Sequence, residues 1–295
     1  MLSYRHAFHA GNHADVLKHL VLVLILESLL KKDKPFTVFD THAGAGLYQL
    51  DDFKALQTEE AKTGILKLMS ATKSEIYVPE PVRRYVELCK PYIEKNIYPG
   101  SPEIERNLMR SQDKIFLAEL HNTEIQILKG NLQSKIFFND KAKKTPTTLL
   151  HTDGFSMLKS HLPPAIKRGL VIVDPSYETE NDYTNSMNAL PLVIEKWNTA
   201  IAALWFPLLM HRQEEIVLLK DTITSKTERI LANKEIPWLT AELCVDNTNG
   251  KGLFGSGMII INPPYLLYEQ LEESLPFLSK ILAENENTWK LRKPD

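Results

Sequence analysis

Two short motifs in this 295-residue chain carry groups able to do chemistry. The first is Asp174-Pro175-Ser176-Tyr177, directly after Val171-Ile172-Val173. Proline cannot continue a central strand. Pro175 therefore forces a turn and presents its own carbonyl beside an acid and an aromatic ring. That trio suits a planar base bearing an exocyclic amine. The Asp174 carboxylate and the Pro175 carbonyl can accept the two amine N–H bonds and aim the nitrogen lone pair at a methyl donor, while Tyr177 stacks on the ring. A strand-ending turn with a packed tyrosine has the same letters. The second motif is Asp40-Thr41-His42-Ala43-Gly44-Ala45-Gly46. It lacks the Gly-Lys-Ser/Thr of a phosphate loop and the full dinucleotide spacing. A glycine turn of this kind suits a ligand with a nucleoside and no phosphate, of which S-adenosyl-L-methionine is the commonest; an ordinary strand–turn–helix stays open as the alternative.

Further groups extend this reading. Glu119, at a strand end, can accept from both ribose hydroxyls. Asp153, followed by Gly154, can accept from an adenine amine; each carboxylate alone also reads as a cap or loop residue. Asn262-Pro263-Pro264-Tyr265 matches an amine-methylating pattern by letters, yet it follows the last strand, so Asp174 is preferred over Asn262. Tyr4, Arg5, His6, Phe8, His9, His13, Lys18 and His19 crowd the N-terminus, and cations with rings suit a nucleic-acid strand. A solvated arm is the plain alternative. Lys18 can neutralise the carboxylate of a cofactor's methionine part, and His19 can hydrogen-bond it. His6, His9 and His13 with Asp15 make a poor metal set, and no metal is expected.

The elements that must position these groups alternate. Residues 14–32 read as a helix buried on much of its circumference. Seven candidate strands fall at 36–40, 114–119, 147–150, 169–174, 200–206, 239–245 and 258–262, with helical stretches between most of them. This predicts a mostly parallel sheet covered by helices, with functional groups at the strands' carboxyl ends. Glu119 comes 73 residues after Gly46, far beyond the usual ribose-binding distance of about 20. A helical insertion is therefore placed at 52–107. It holds nine Lys/Arg and nine Asp/Glu, which favours a cap that shapes a pocket over a basic binding module. The run Lys141-Ala142-Lys143-Lys144 reads as a solvated loop.

Composition closes off other classes. A net charge of −2 and 43% hydrophobic residues describe a packed globular chain. Two cysteines, Cys89 and Cys244, form neither a disulfide framework nor a four-cysteine zinc site, and the balance suits a reducing cytoplasm. The longest apolar run, residues 20–26, is too short for a membrane span of about 20 residues. No signal peptide is expected.

Several motifs together resemble one family. Residues 1–19, the Asp40–Gly46 turn, Tyr98-Pro-Gly-Ser-Pro102, Asp153-Gly-Phe155, Asp174-Pro-Ser-Tyr-Glu178, Ser256-Gly-Met258 and Asn262-Pro-Pro264 look like the bacterial 23S ribosomal RNA adenine-N6 methyltransferases, in order over nearly the whole chain. The resemblance implies a class I S-adenosylmethionine-dependent methyltransferase fold: a Rossmann-like, seven-stranded, mostly parallel sheet with a small helical insertion. Residues 1–51 and 108–295 would form the methyltransferase domain, with 1–13 as a substrate-facing arm. It implies S-adenosyl-L-methionine as methyl donor and adenine 2030 of 23S rRNA, naked or in an early assembly intermediate, as acceptor. No membrane and no obligate protein partner are implied. Cofactor contacts carry over onto His19, His42, Ser101, Glu119, Asp153, Gly154 and Asp174, the catalytic carboxylate onto Asp174, and a substrate-linked tyrosine onto Tyr4. Ser176 departs from the family motif, which has a second proline there. A DNA adenine-N6 methyltransferase uses the same turn, and a non-catalytic RNA-binding protein could use the same N-terminus.

Overall fold

The structure is a computed structural model, and it describes residues 5–74, 77–133, 145–231, 237–245, 252–284 and 287–294. Tyr4 and the 141–144 charge run lie outside the described residues. The first long element is α1 (His13–Leu30), capped by Asn12, whose side chain accepts from the Asp15 N–H. Its apolar residues are spread around the whole circumference, which is the pattern of a helix enclosed by protein. Leu17, Leu20, Leu24 and Ile25 are all fully buried.

The chain then runs β1 (Thr37–Asp40), β2 (Leu47–Gln49), α2 (Phe53–Thr58), α3 (Glu60–Thr63), α4 (Ile65–Ala71), α5 (Glu80–Ile93), β3 (Ile97–Pro99) and α6 (Ser101–Leu108). Next come β4 (Lys114–Ala118), α7 (Asn122–Gln133), β5 (Thr147–Leu150), α8 (Gly154–His161), β6 (Gly169–Val173) and α9 (Glu180–Lys196). The last part holds β7 (Ile201–Leu209), α10 (Gln213–Ile230), β8 (Trp238–Cys244), β9 (Leu253–Ile261), α11 (Leu267–Leu282) and β10 (Trp289–Arg292).

The main sheet has the order β10-β8-β9-β7-β6-β1-β4-β5. Strands β5, β4, β1, β6 and β7 pair in parallel, while β9 runs antiparallel between β7 and β8. This is the mostly parallel, helix-covered sheet that the alternation predicts, in the class I methyltransferase order that the resemblance implies. Seven of the eight strands correspond to the expected ones; the eighth, β10, adds an antiparallel edge on β8. Two strands are longer than expected. Strand β7 continues through Pro207, because its parallel partner β6 covers only Ile201 to Leu204 and Pro207 interrupts no ladder on that side. Strand β9 begins at Leu253, ahead of the expected start at Met258.

The sheet is apolar on both faces, as parallel sheets must be when helices cover them. Val38, Leu170 and Ile172 join a core with α1, α5 and α11, while Phe39, Val171 and Val173 point into a second core with α9 and α10. Residues 52–107 hold α2 to α5, β3 and most of α6; Ile65, Leu68, Val82 and Tyr85 from this stretch pack into the same core as α1. Strand β3 pairs with β2 in a separate two-stranded sheet of three residues each, a pairing the sequence pattern does not announce. Among the described residues, no helix is long and apolar enough to cross a membrane.

Candidate active site

Strand β1 lies between β4 and β6, so the chain leaves the sheet in opposite directions at this point. A crevice opens there at the carboxyl ends. It forms a cavity of about 870 Å³ whose wall draws on the ends of β1, β4, β5 and β6, on α1 and on the N-terminal segment.

The turn after β1 is built around Asp40, which is 1% exposed. Its Oδ2 accepts from the Ser101 hydroxyl at 2.6 Å, and its Oδ1 accepts from the His42 N–H at 3.1 Å. Burial pushes the Asp40 carboxyl up to about 6, against the opposing pull of those two hydrogen bonds. Gly44 adopts φ +59°, and a Cβ there would lie 2.2 Å from the Tyr48 hydroxyl, so only glycine makes this turn without strain. The Gly44 N–H donates to Glu119 Oε2 at 2.8 Å, and the His121 N–H donates to Oε1 at 2.7 Å. Glu119 is therefore fixed directly after β4 with both oxygens oriented; burial raises its pKa.

Asp153 caps α8 by accepting from the Ser156 N–H at 2.8 Å, while also lining the cavity. Gly154 brings that loop against the β1 turn: a Cβ would meet the Thr41 carbonyl at 2.1 Å. The His42 ring stands edge-on to Phe155, and burial lowers its pKa, leaving it neutral.

Asp174 follows β6. Its Oδ2 accepts from Lys18 Nζ at 2.5 Å, and the same ammonium lies 2.9 Å from Asp15 Oδ1. Burial alone would lower the Lys18 pKa, but the two carboxylates more than reverse this and hold it charged. Burial likewise disfavours the Asp15 charge, yet His6 and Lys18 bring its pKa well below the usual range. His19 is different: burial drives its pKa down to about 3. Its 4.0 Å approach to Asp15 is therefore not an ion pair, and its Nδ1 lies 2.6 Å from the Tyr98 hydroxyl. Tyr177 adopts φ +54° and is 8% exposed. Its hydroxyl donates to the Trp205 carbonyl at 2.8 Å, and its ring meets Tyr183 edge-on at 4.8 Å.

The cavity wall thus brings together Lys18, His19, His42, Ser101, Glu119, Asp153, Gly154, Asp174, Pro175 and Tyr177, along with His6 from the N-terminal group. Arg5 is described but does not line it. Asn262 sits elsewhere. Because β9 is antiparallel, its end lies beside the start of β7, where the Asn262 amide donates to the carbonyls of Asn198 and Ala200. Asp15 and Trp205 are among the wall residues that the reading of the motifs did not place at the site. Asp15 has a faint signal, the i, i+3, i+4 spacing with Lys18 and His19 on one helix face. Trp205 has none, since it lies inside an apolar strand. Among the described residues, no group of three His, Cys, Asp or Glu could hold a metal ion.

Comparison with known proteins accords with this geometry. The family described as "Ribosomal RNA large subunit methyltransferase D, RlmJ" matches residues 33–293. A relative from Haemophilus influenzae named "Ribosomal RNA large subunit methyltransferase J" is 38% identical, covering 98% of this chain and 97% of its own. One of the same name from Escherichia coli is 39% identical, covering 96% and 95%. A crystal structure of a Legionella pneumophila protein superposes with a TM-score of 0.82 at 31% identity, covering 97% and 98%. Methyltransferase family and fold imply use of S-adenosylmethionine. The chain belongs to the large-subunit ribosomal RNA methyltransferase family that carries the letter J.

Proposed function

We propose that this protein transfers a methyl group from S-adenosylmethionine to N6 of an adenine in 23S rRNA, adenine 2030 by resemblance. The observation that carries this reading is the Asp174–Tyr177 turn at the end of β6, opening onto the same cavity as the Gly44 turn and Glu119.

The residues present fit the cofactor. Gly44 and Gly154 let their turns close against the Tyr48 hydroxyl and the Thr41 carbonyl, and both line the cavity. Glu119, already oriented by two backbone N–H groups, is placed for ribose hydroxyls, and Asp153 for the adenine amine. His42 and Ser101 line the same end, and Lys18 with His19 face the methionine part. When bound, the cofactor supplies an electrophilic sulfonium methyl.

The remaining work belongs to the chain. The target base leaves its stack and enters the cavity. Asp174 and the Pro175 carbonyl accept the two N–H bonds of the amine and aim its lone pair; as the nitrogen–methyl bond forms and the methyl–sulfur bond breaks, the nitrogen releases one N–H proton along its hydrogen bond to Asp174 and on to water. The Lys18 ammonium donates to Asp174 Oδ2 and holds the carboxylate in place at the turn. Tyr177 offers a ring already fixed by Trp205 and Tyr183, so stacking orders little that is not ordered already. Positioning supplies most of the barrier reduction. Tyr4, Arg5 and His6 contact the RNA, and residues 52–107 act as a helical insertion that shapes the cavity.

The test is a labelled methyl-transfer assay offering protein-free 23S rRNA, assembled large subunits and duplex DNA. The expected result is N6-methyladenine on 23S rRNA alone. Asp174→Ala should abolish transfer while cofactor binding stays weakened but measurable. Label on duplex DNA, or activity retained by Asp174→Ala, would overturn the reading.

A further inference from the structure

Asp15 has no part in the chemistry assigned above, yet several groups converge on it. It is 1% exposed, in the first turn of α1. Oδ2 accepts from His6 Nε2 at 2.8 Å and from the Gly11 N–H at 2.8 Å. Oδ1 faces Lys18 Nζ at 2.9 Å, and Lys18 in turn reaches Asp174. Helix capping does not require this carboxylate, because the Asn12 side chain already accepts the Asp15 N–H at 2.9 Å. A buried carboxylate is unfavourable unless paired and hydrogen-bonded. Here the pairing divides by oxygen: one holds the N-terminal segment, the other the lysine at the catalytic turn.

We propose that Asp15 is a positioning residue that couples the docking of residues 6–11 to the placement of Lys18 on Asp174. His6 lies in the short helical turn His6–Phe8, so fixing its ring fixes that turn over the cavity. The Gly11 amide fixes the far end of the same segment. The segment and the catalytic carboxylate are thereby joined through one side chain and one ammonium. Charge-assisted contacts of this kind are roughly twice as strong as neutral ones, so the charge of Asp15, more than its size, should matter. The consequence for RNA rests on the function proposed above: RNA engaging His6 and a base engaging Asp174 are then linked through Asp15.

Asp15→Asn keeps the size and one acceptor oxygen and removes the charge. In ligand-free protein, amide exchange at Phe8, His9, Gly11 and Asn12 should accelerate about tenfold, with the interior of α1 unchanged. With S-adenosylhomocysteine present, Asp15→Asn should weaken binding of a 23S rRNA fragment about tenfold and His6→Gln at least as much, while adding Asp15→Asn to His6→Gln should weaken it no further, because the link that Asp15 makes to the segment is already lost. Unchanged exchange at residues 8–12, or losses that multiply to about a hundredfold, would overturn the proposal. If Asp15→Asn raises exchange throughout α1, His6→Gln makes the same comparison from the other side of the contact. Acceleration confined to residues 8–12 supports the proposal, and no change overturns it. A native protein that binds no RNA would overturn the functional reading, and the exchange comparison alone would then decide the part played by Asp15.

Discussion

Replacing Asp40 by asparagine should stabilise the ligand-free protein, and by more at pH 8 than at pH 5. The Asp40 carboxyl is buried behind the β1 turn and titrates at about 6 in place of its ordinary 3.8. Because the folded pKa lies above the unfolded one, the folded state holds the extra proton between those values. Stability from this group is therefore greatest at low pH, declines as pH rises through about 4 to 6, and levels off above that. The full difference is on the order of 3 kcal/mol, of which about 1.4 kcal/mol falls between pH 5 and pH 8. Asparagine can keep both local contacts, accepting from the His42 N–H and donating to the Ser101 hydroxyl, while carrying no charge to desolvate. Urea unfolding of both proteins at pH 5, 6, 7 and 8 measures the gap. It should widen by about 1 kcal/mol or more toward pH 8. Glu105 needs a control, because it is fully buried, its carboxyl oxygens have no hydrogen-bond partner among the described residues, and burial pushes its pKa well above the carboxylate range. The Asp40 effect should persist in a Glu105→Gln background. A gap that stays constant with pH, or a variant less stable at pH 8, would refute the argument that burial dominates at Asp40.

Three other outcomes are expected. Ser176→Pro restricts the catalytic turn and should raise kcat, with a stability gain of about 0.4–1 kcal/mol in urea unfolding; an unchanged or lower kcat would show that the second proline adds nothing to this turn. Gly154→Ala places a methyl against the Thr41 carbonyl and should destabilise by roughly 1–3 kcal/mol while weakening S-adenosylhomocysteine binding, both measurable by thermal shift and calorimetry. With a net charge of −2, binding to naked rRNA should fall with salt along a slope of only a few phosphates, and a steep slope would contradict a local contact surface.

Much of the architecture was legible because it is written in short-range terms. Apolar runs of four to nine residues mark buried parallel strands, and helical periodicity between them leaves few ways to order the sheet. The carboxyl-end rule puts Glu119, Asp153 and Asp174 on one rim of the sheet, and the structure brings all three to one cavity. What escaped were features whose reason lies in a distant partner. Strand β10 has four residues and an ordinary alternation; only β8 makes it a strand. Strand β7 runs through a proline because its neighbour on one side ends early, which is a matter of register.

The same division holds at the site. By itself the sequence determined the residue types at each strand end, since a carboxylate, a proline or a glycine confines its own backbone and chemistry wherever it stands. It left Asp174 and Asn262 as rival acceptors of one pattern; strand direction separates them, because an antiparallel β9 delivers Asn262 to the opposite end of the strands, beside the start of β7. It left Asp15 near the start of an apolar helix, weighed only as a poor metal ligand beside His6, His9 and His13. Only the packing of α1 against the sheet brings Lys18 between Asp15 and Asp174, residues far apart in the chain. Only there does burial turn three ordinary side chains into one charged network, because ions interact strongly once water is excluded and weakly before.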